Sequence, residues 1–195
     1  MTLVQQPRII RHGIAFAALN ANNVSSPAMN APKAKNHTAA TPEISLRPER
    51  AEDEPFLFAV FASTREEELA LTNWDAAMRS AFLNQQFAAM RRGYRGMFPA
   101  GEFLIIELAG QPIGLMVLNR NETEIRVVDL ALLPAERNKK IGTFLMRGIC
   151  TGAKVPVRLH VLKRNRAWHW YERLGFVRIG DAGIYDEMEW RPTLT

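Results

Sequence analysis

Leu130-Ala131-Leu132-Leu133-Pro134-Ala135-Glu136-Arg137-Asn138-Lys139-Lys140-Ile141-Gly142-Thr143 is the stretch on which the fold turns. Its opening apolar run reads as a buried strand that Pro134 closes. A polar segment then leads into a helix whose apolar face is Ile141, Leu145, Met146 and Ile149. A helix entered from such a loop presents unsatisfied first-turn N–H groups and the positive end of its dipole, which suits an anion. Gly142 lets main chain approach that anion closely, and Arg137, Lys139 and Lys140 bring positive charge to the same point.

Upstream, three strands follow in quick succession: Glu102–Leu108, Pro112–Leu118 and Glu124–Leu132. The turn Ala109-Gly110-Gln111-Pro112 and the polar loop Asn119–Thr123 fit hairpin connections of an antiparallel meander. Before them, Ile44–Arg47 alternates as a short strand. Glu52–Ser63 and Ala76–Tyr94 carry apolar residues at helical spacing, among them Phe56 and Val60 in the first, and Met78, Phe82, Phe87 and Met90 in the second. Thr64-Arg65-Glu66-Glu67-Glu68 has a cap followed by first-turn acids, so a third short helix is expected before Trp74. Downstream, Pro156–Leu162 is strand-like, Asn165–Leu174 helical, and Phe176–Ile179 and Ile184–Trp190 are strands again. The order β-αα-βββ-α-β-α-ββ predicts an α/β (α+β) fold, a mixed sheet with helices on its faces, as one domain over 44–195. Residues 1–43, rich in Asn, Ala, Pro, Ser and Thr, read as a disordered tail in which Arg8–Leu19 faintly resembles a presequence without a convincing cleavage site.

Composition bounds the function. No apolar run approaches the roughly 18–20 residues that cross a bilayer, so a soluble, cytoplasmic protein with no membrane partner is expected. Cys150 is the single cysteine, and the histidines stand apart at 12, 37, 160 and 169, which argues against a disulfide or a metal site. The chain carries +5 overall, and Glu136–Arg173 alone carries +8. That concentration fits a polyanionic ligand, either a phosphorylated cofactor or a nucleic acid, or else exposed basic helices. No helix-turn-helix, zinc-finger or RNA-recognition signature accompanies the charge, so no nucleic-acid partner is expected.

The segment Arg137-Asn138-Lys139-Lys140-Ile141-Gly142 resembles the pyrophosphate loop of the GNAT superfamily of N-acetyltransferases, Arg/Gln-x-x-Gly-x-Gly/Ala, with Lys140 in place of the first glycine. The block Leu159–Phe176 looks like the family's strand-then-helix ending, Asn-x-x-Ala-x-x-x-Tyr-x-x-x-Gly-Phe with minor spacing variants, and its match is the more specific. The resemblance covers roughly residues 44–191. It implies a mostly antiparallel central sheet of about seven strands flanked by about four or five helices, and transfer of an acetyl group from acetyl-CoA to a primary amine by direct attack, with no metal. It further implies that main chain near Leu132 and Leu133 pairs with the pantetheine arm. Arg137, Asn138, Lys139, Lys140, Ile141, Gly142 and Thr143 would hold the pyrophosphate, and Asn165 would touch the cofactor. Tyr171 would lie near the sulfur, where its hydroxyl could protonate the departing thiolate.

Two residues are candidates for the base. His160 occupies a strand position where some relatives carry a glutamate, and its ordinary pKa suits proton acceptance. Asp129 is a lone acid in Val127-Val128-Asp129-Leu130-Ala131-Leu132 and needs a partner there. Each also has a purely structural reading, as a solvated strand histidine or an acid bound to backbone or arginine. The acceptor pocket is expected from Glu66, Glu67, Glu68, Trp74, Tyr94, Phe98 and Tyr185, whose acids hint at a cationic amine. The expected partner is an amine-bearing acceptor, with a second copy of the chain left open. A coenzyme-A-binding regulatory domain without turnover, and a nucleic-acid module, are the rival readings.

Overall fold

The computed structural model describes residues 43–193. The tail reading therefore falls, apart from Glu43, outside the described residues. Among the described residues, seven strands form one sheet in the spatial order β1-β2-β3-β4-β5-β7-β6. They are β1 (Ile44–Pro48), β2 (Glu102–Leu108), β3 (Gln111–Arg120), β4 (Ile125–Leu132), β5 (Val157–Leu162), β6 (Val177–Ala182) and β7 (Tyr185–Trp190). Five α-helices of the described residues accompany them: α1 (Glu54–Ser63), α2 (Glu66–Ala70), α3 (Ala76–Met97), α4 (Ile141–Gly152) and α5 (Ala167–Arg173). The mixed, mostly antiparallel sheet, with its helices on both faces, is the one the resemblance implied. Among the described residues, no helix is long and apolar enough to cross a membrane.

Local chemistry explains most boundaries. Ala109 and Gly110 both have positive φ, 50° and 75°, the two-residue turn whose twist suits a β2–β3 hairpin. Asp75 caps α3 by accepting from the Met78 N–H at 2.8 Å. Helix α3 runs one turn beyond the expected Tyr94, where Arg95 pairs with Glu49 and stands over the Phe103 ring. Strand β3 outruns its expected end at Leu118, because Asn119 and Arg120 pair with Arg126 and Ile125. Main-chain pairing is indifferent to side-chain polarity. The turn there is closed instead by Asn121, whose Oδ1 accepts from the Thr123 and Glu124 amides.

Two hydrophobic layers sandwich the sheet. On one face, Leu57, Val60, Phe61, Phe87 and Tyr94 of α1 and α3 pack on Ile105, Leu115, Val117, Val128 and Ala131. On the other, Ile141, Leu145, Met146 and Ile149 of α4, with Tyr171 of α5, pack on Met116, Leu118, Val127, Leu130, Leu132, Leu159 and Val161. Complete burial of an aliphatic side chain contributes about 1.5–3 kcal/mol, so these layers supply most of the driving force.

Strands β4 and β5 are the one parallel pair among the described strands, and they pair over three positions only, Ile125↔Val157, Arg126↔Arg158 and Val127↔Leu159. Beyond Leu159 they part. The β3–β4 register shifts at the same level, Val117 facing Asp129 while Leu118 faces Val127, so Val128 is an extra residue in β4. A bulge of this kind bends its strand and re-aims the side chains beside it. Leu130 and Leu132 lie with Val127 in the α4 layer and Val128 and Ala131 in the α1/α3 layer, which leaves Val128 and Asp129 on the same side of the strand. Past the bulge β4 keeps to β3, and an opening is left between β4 and β5.

Candidate active site

Main-chain hydrogen bonding decides which groups face this opening. The Leu133 N–H donates to the Ile113 carbonyl at 2.9 Å. Because bonded and non-bonded pairs alternate along an antiparallel ladder, Leu130 and Leu132 turn their N–H and C=O away from β3 and toward the space that β5 has left. The Leu133 carbonyl accepts from the Glu136 N–H at 2.9 Å, so both main-chain groups of Leu133 are committed inside the fold. Of the two residues expected to offer main chain, Leu132 turns its N–H to the opening and Leu133 does not. Gly114 lies across from Leu132, and a Cβ on it would stand 2.3 Å from the Ala131 carbonyl oxygen. Close approach of β3 to the end of β4 requires that glycine.

The loop behind the opening passes through a 3-10 turn at Pro134–Glu136 into α4. Asn138 and Lys140 both adopt left-handed backbone, each at φ 64°, and they flank Lys139. The first helical bond of α4 runs from the Phe144 N–H to the Lys140 carbonyl at 2.9 Å. The amides of Ile141, Gly142 and Thr143 therefore have no helical acceptor and form a positive concavity at the mouth of the opening. The loop cations are used unequally. Arg137 does not reach forward: its Nε donates to the Leu132 carbonyl at 3.0 Å and its Nη2 to Ser63 Oγ at 2.9 Å. Burial draws its pKa down, against the pull of Glu66 and Glu67. It acts as a strap holding the loop to β4 and to the end of α1. Lys139 pairs with Glu136 at 3.1 Å, whereas Lys140 is exposed. Thr143 Oγ1 accepts from the Trp170 Nε1–H at 3.0 Å, which ties α4 to α5.

Left-handed backbone is costly for a residue with a Cβ, so Lys140 is strained where a glycine would not be. Lys140→Gly is expected to stabilise the protein by about 1 kcal/mol, the relief exceeding the added chain entropy. A melt should show a Tm higher by about 2–4 °C.

At the root of the opening stands Asp129. The Tyr94 hydroxyl donates to its Oδ2 at 3.3 Å from the α3 side. Desolvation lifts the Asp129 pKa to about 6, although Tyr94, the Leu130 amide and Arg65 each favour the carboxylate. Tyr171, 1% exposed, packs edge-on to Phe176 with ring centroids 5.6 Å apart. Burial, reinforced by the Asp129 charge, holds its phenol far above the ordinary value. Burial and then Asp129 do the same to Tyr94, and Tyr185 adds to the effect. One weakly acidic carboxyl is thus surrounded by phenols that stay protonated at neutral pH. Asn165 serves the helix that carries Tyr171, its Oδ1 accepting from the Ala167 N–H at 2.8 Å.

His160 has other partners. Its β5 neighbours Leu159 and Val161 face the α4 layer, so His160 lies on the opposite face, among charges. Arg126 Nη1 is 3.5 Å from its Nδ1, and Glu187 Oε1 is 3.9 Å from its Nε2. Burial and then Arg126 lower its pKa. Arg158, Glu124 and Glu189 extend the same network. The structure unites Asp129 and Tyr171 with Tyr94, Tyr185 and Arg65, and it gives His160 other partners.

A cleft of about 700 Å³ lies at the end of β5. Its walls are the β5–α5 turn with Leu162, Lys163, Arg164 and Arg166, the β6–β7 turn with Ile184, and Glu67 of α2. Leu162 pairs with Tyr185 across β5 and β7, so the cleft begins one strand position from the tyrosine whose field reaches Tyr94. Of the glutamate run, Glu67 lines it, while Glu68 pairs with Arg65 at 3.2 Å.

Residues 99–178 match the family described as acetyltransferase (GNAT) domain. A comparison with curated proteins found no match. Among solved structures, the PaiA N-acetyltransferase from Thermoplasma acidophilum in complex with coenzyme A is similar at 20% identity and TM-score 0.58, over 77% of this chain and 99% of that one. An acetyltransferase from Thermus thermophilus is 15% identical at TM-score 0.58, covering 76% and 97% of the two chains. An acetyltransferase of the GNAT family from Staphylococcus aureus is 15% identical at TM-score 0.54, covering 76% and 99%. At these identities the structural likeness speaks to the fold, and the family match to the activity.

Proposed function

We propose, from the premise that this chain is an acetyltransferase carrying a GNAT domain, that it transfers the acetyl group of acetyl-CoA to a primary amine by direct attack within a ternary complex. The observation that carries this reading is the opening between β4 and β5. In this reading the Leu132 N–H, the first-turn amides of α4, the Asp129 carboxyl and the Tyr171 phenol are the groups that serve it. Acetyl-CoA supplies an activated acetyl thioester and a diphosphate. The residues present suit both ends: the amides of Ile141, Gly142 and Thr143 and the exposed Lys140 suit the diphosphate, and the Leu132 N–H suits the arm.

Asp129 is the base in this reading. A carboxyl with a pKa of about 6 is ionised at pH 7 yet basic enough to take a proton from an incoming ammonium. Its help matters in proportion to the acceptor. A lysine-like amine with pKa ~10.4 needs about 4.6 kcal/mol to deprotonate at pH 7, whereas an α-amine at ~7.8 needs about 1 kcal/mol. The amine nitrogen forms a bond to the acetyl carbonyl carbon, the carbon–sulfur bond breaks, and the thiolate receives the Tyr171 proton. The proton that Asp129 took from the ammonium then restores the phenol, and the second proton that the nitrogen loses on becoming an amide passes to solvent. No covalent enzyme intermediate is needed, because holding the two reactants together supplies the main advantage.

Thermal melting tests the reading. Acetyl-CoA at 100 times its Kd adds about 2.7 kcal/mol, which at about 2–4 °C per kcal/mol raises Tm by about 5–10 °C. A panel of amines then separates an enzyme from a coenzyme-A-binding regulator. An unchanged melt at millimolar acetyl-CoA removes the proposal, and binding without acetylation of any amine favours the regulator.

A further inference from the structure

We infer that Arg137 is a positioning residue that joins the cofactor loop to the α1–α2 joint, so that filling the loop with coenzyme A also fixes the joint that carries Arg65. This rests on the acetyltransferase reading and adds the pair Arg137 and Ser63 to its machinery. Arg137 ties three parts of the fold together. Its main chain lies in the loop before α4, and its Nε donates to the Leu132 carbonyl of β4 at 3.0 Å. Its Nη2 donates to Ser63 at the end of α1, to Oγ at 2.9 Å and to the carbonyl at 3.3 Å. Ser63 is prepared for this bond. Its hydroxyl donates to the Val60 carbonyl at 2.7 Å, which leaves the oxygen lone pairs to the guanidinium. A planar fork meets β4 and α1 at once, whereas a lysine ammonium is a point charge that serves one of them.

The joint is short and closely bonded. The Thr64 and Arg65 N–H groups donate to the Phe61 and Ala62 carbonyls at 3.0 and 2.9 Å, and the Leu69 N–H donates to the Arg65 carbonyl at 2.8 Å. Ser63 and the first turn of α2 are therefore one unit. Arg65 turns inward from it: the residue is 8% exposed, and its guanidinium carbon stands 5.4 Å from the centre of the Phe61 ring. Phe61 shares its layer with Tyr94, Val128 and Ala131, on the side of β4 where Asp129 lies. The charge of Arg65 acts there on both Asp129 and Tyr94. On the loop side, Asn138 and Lys140 hold costly left-handed backbone. A diphosphate bound by the amides of Ile141, Gly142 and Thr143 fixes that main chain, so Arg137 closes on Ser63 with less entropy left to lose. By linkage, whatever the filled loop adds to the strap, the strap adds to cofactor affinity.

Hydrogen exchange on the full-length protein, with and without coenzyme A, tests the coupling, and calorimetric titration gives the affinities. Coenzyme A should slow exchange at the Thr64, Arg65 and Leu69 amides by at least about fivefold, the lower end of common coupling factors. Ser63→Ala removes the hydroxyl contact and leaves the loop untouched. It should erase most of that slowing and weaken coenzyme A by about the same factor, since linkage is reciprocal. Arg137→Lys should weaken coenzyme A at least as much although it keeps the charge, and adding Ser63→Ala to it should change the affinity no further. Full affinity in Arg137→Lys, or independent losses that add in the double variant, would make Arg137 a simple cation for the phosphates and overturn the inference. A slowing that survives in Ser63→Ala overturns it too. Coenzyme A that binds the wild-type protein without slowing exchange at the joint overturns the coupling and leaves the acetyltransferase reading standing. Wild-type protein that does not bind coenzyme A removes both.

Discussion

Asp129→Asn is expected to lower kcat/KM for a lysine-like amine by about 10²–10⁴-fold at pH 7, the range lost when a positioned base is removed. Acetyl-CoA affinity should stay within about threefold, since the diphosphate loop is untouched. The pH profile is the sharper readout. With the Asp129 pKa at about 6, the wild-type rate should climb with pH through a limb centred near that value, and the asparagine variant should lack it. Stability carries the opposite signature. The folded pKa is raised above the unfolded value of 3.8, so the contribution of Asp129 is fully present below about pH 4 and is lost as pH rises through about 6. The variant should not show that loss, and it should be at least as stable as wild type at pH 8. His160→Ala, which acts within the Arg126–Glu187 network, should leave the limb in place. A limb near pH 6 that persists in Asp129→Asn would remove the carboxyl from its proposed role.

Tyr171→Phe should cost about 10²-fold in rate for a thioester with a poor leaving group, through loss of the proton that meets the thiolate. The ring stays, so its contacts with Phe176 and with Trp170, at 5.6 Å and 4.6 Å between centroids, are kept. Stability should move by only about 1 kcal/mol, the worth of one hydroxyl's bonding. Leaving-group chemistry separates the proposed acid from a packing role. An aryl thioester expels a stable thiolate unaided, so the variant should recover most of its deficit with that substrate. An equal deficit for alkyl and aryl thioesters would show that Tyr171 merely packs.

Much of this was legible in the residues. Helical spacing in Ile141, Leu145, Met146 and Ile149, and alternation in Val157, Leu159 and Val161, report which element each segment forms, because helix and strand periods are properties of short chain segments. Asp129 stood out as a lone acid in an apolar strand. The α4 loop and the Asn165–Phe176 block could be read because capping and turn chemistry are local. The placement of His160 was also within reach. Parity with its buried neighbours puts it on the face away from α4, while its engagement with Arg126 and Glu187 shows only in the folded chain.

Tertiary structure alone decided the rest. The extra residue Val128 arises only when β3 and β4 are paired, and the three-position contact of β4 with β5 follows from where their partners hold them. Tyr94 reaches Asp129 across 35 residues, and Arg137 reaches Ser63 across 74. Such contacts depend on how whole layers stack, which no window of sequence records. The sequence by itself therefore determined the elements, their order and the chemistry available at each turn. The tertiary structure decided which carboxyl is desolvated, which cation is a strap and which face each strand residue meets, because burial and electrostatics are set by neighbours brought together from distant parts of the chain.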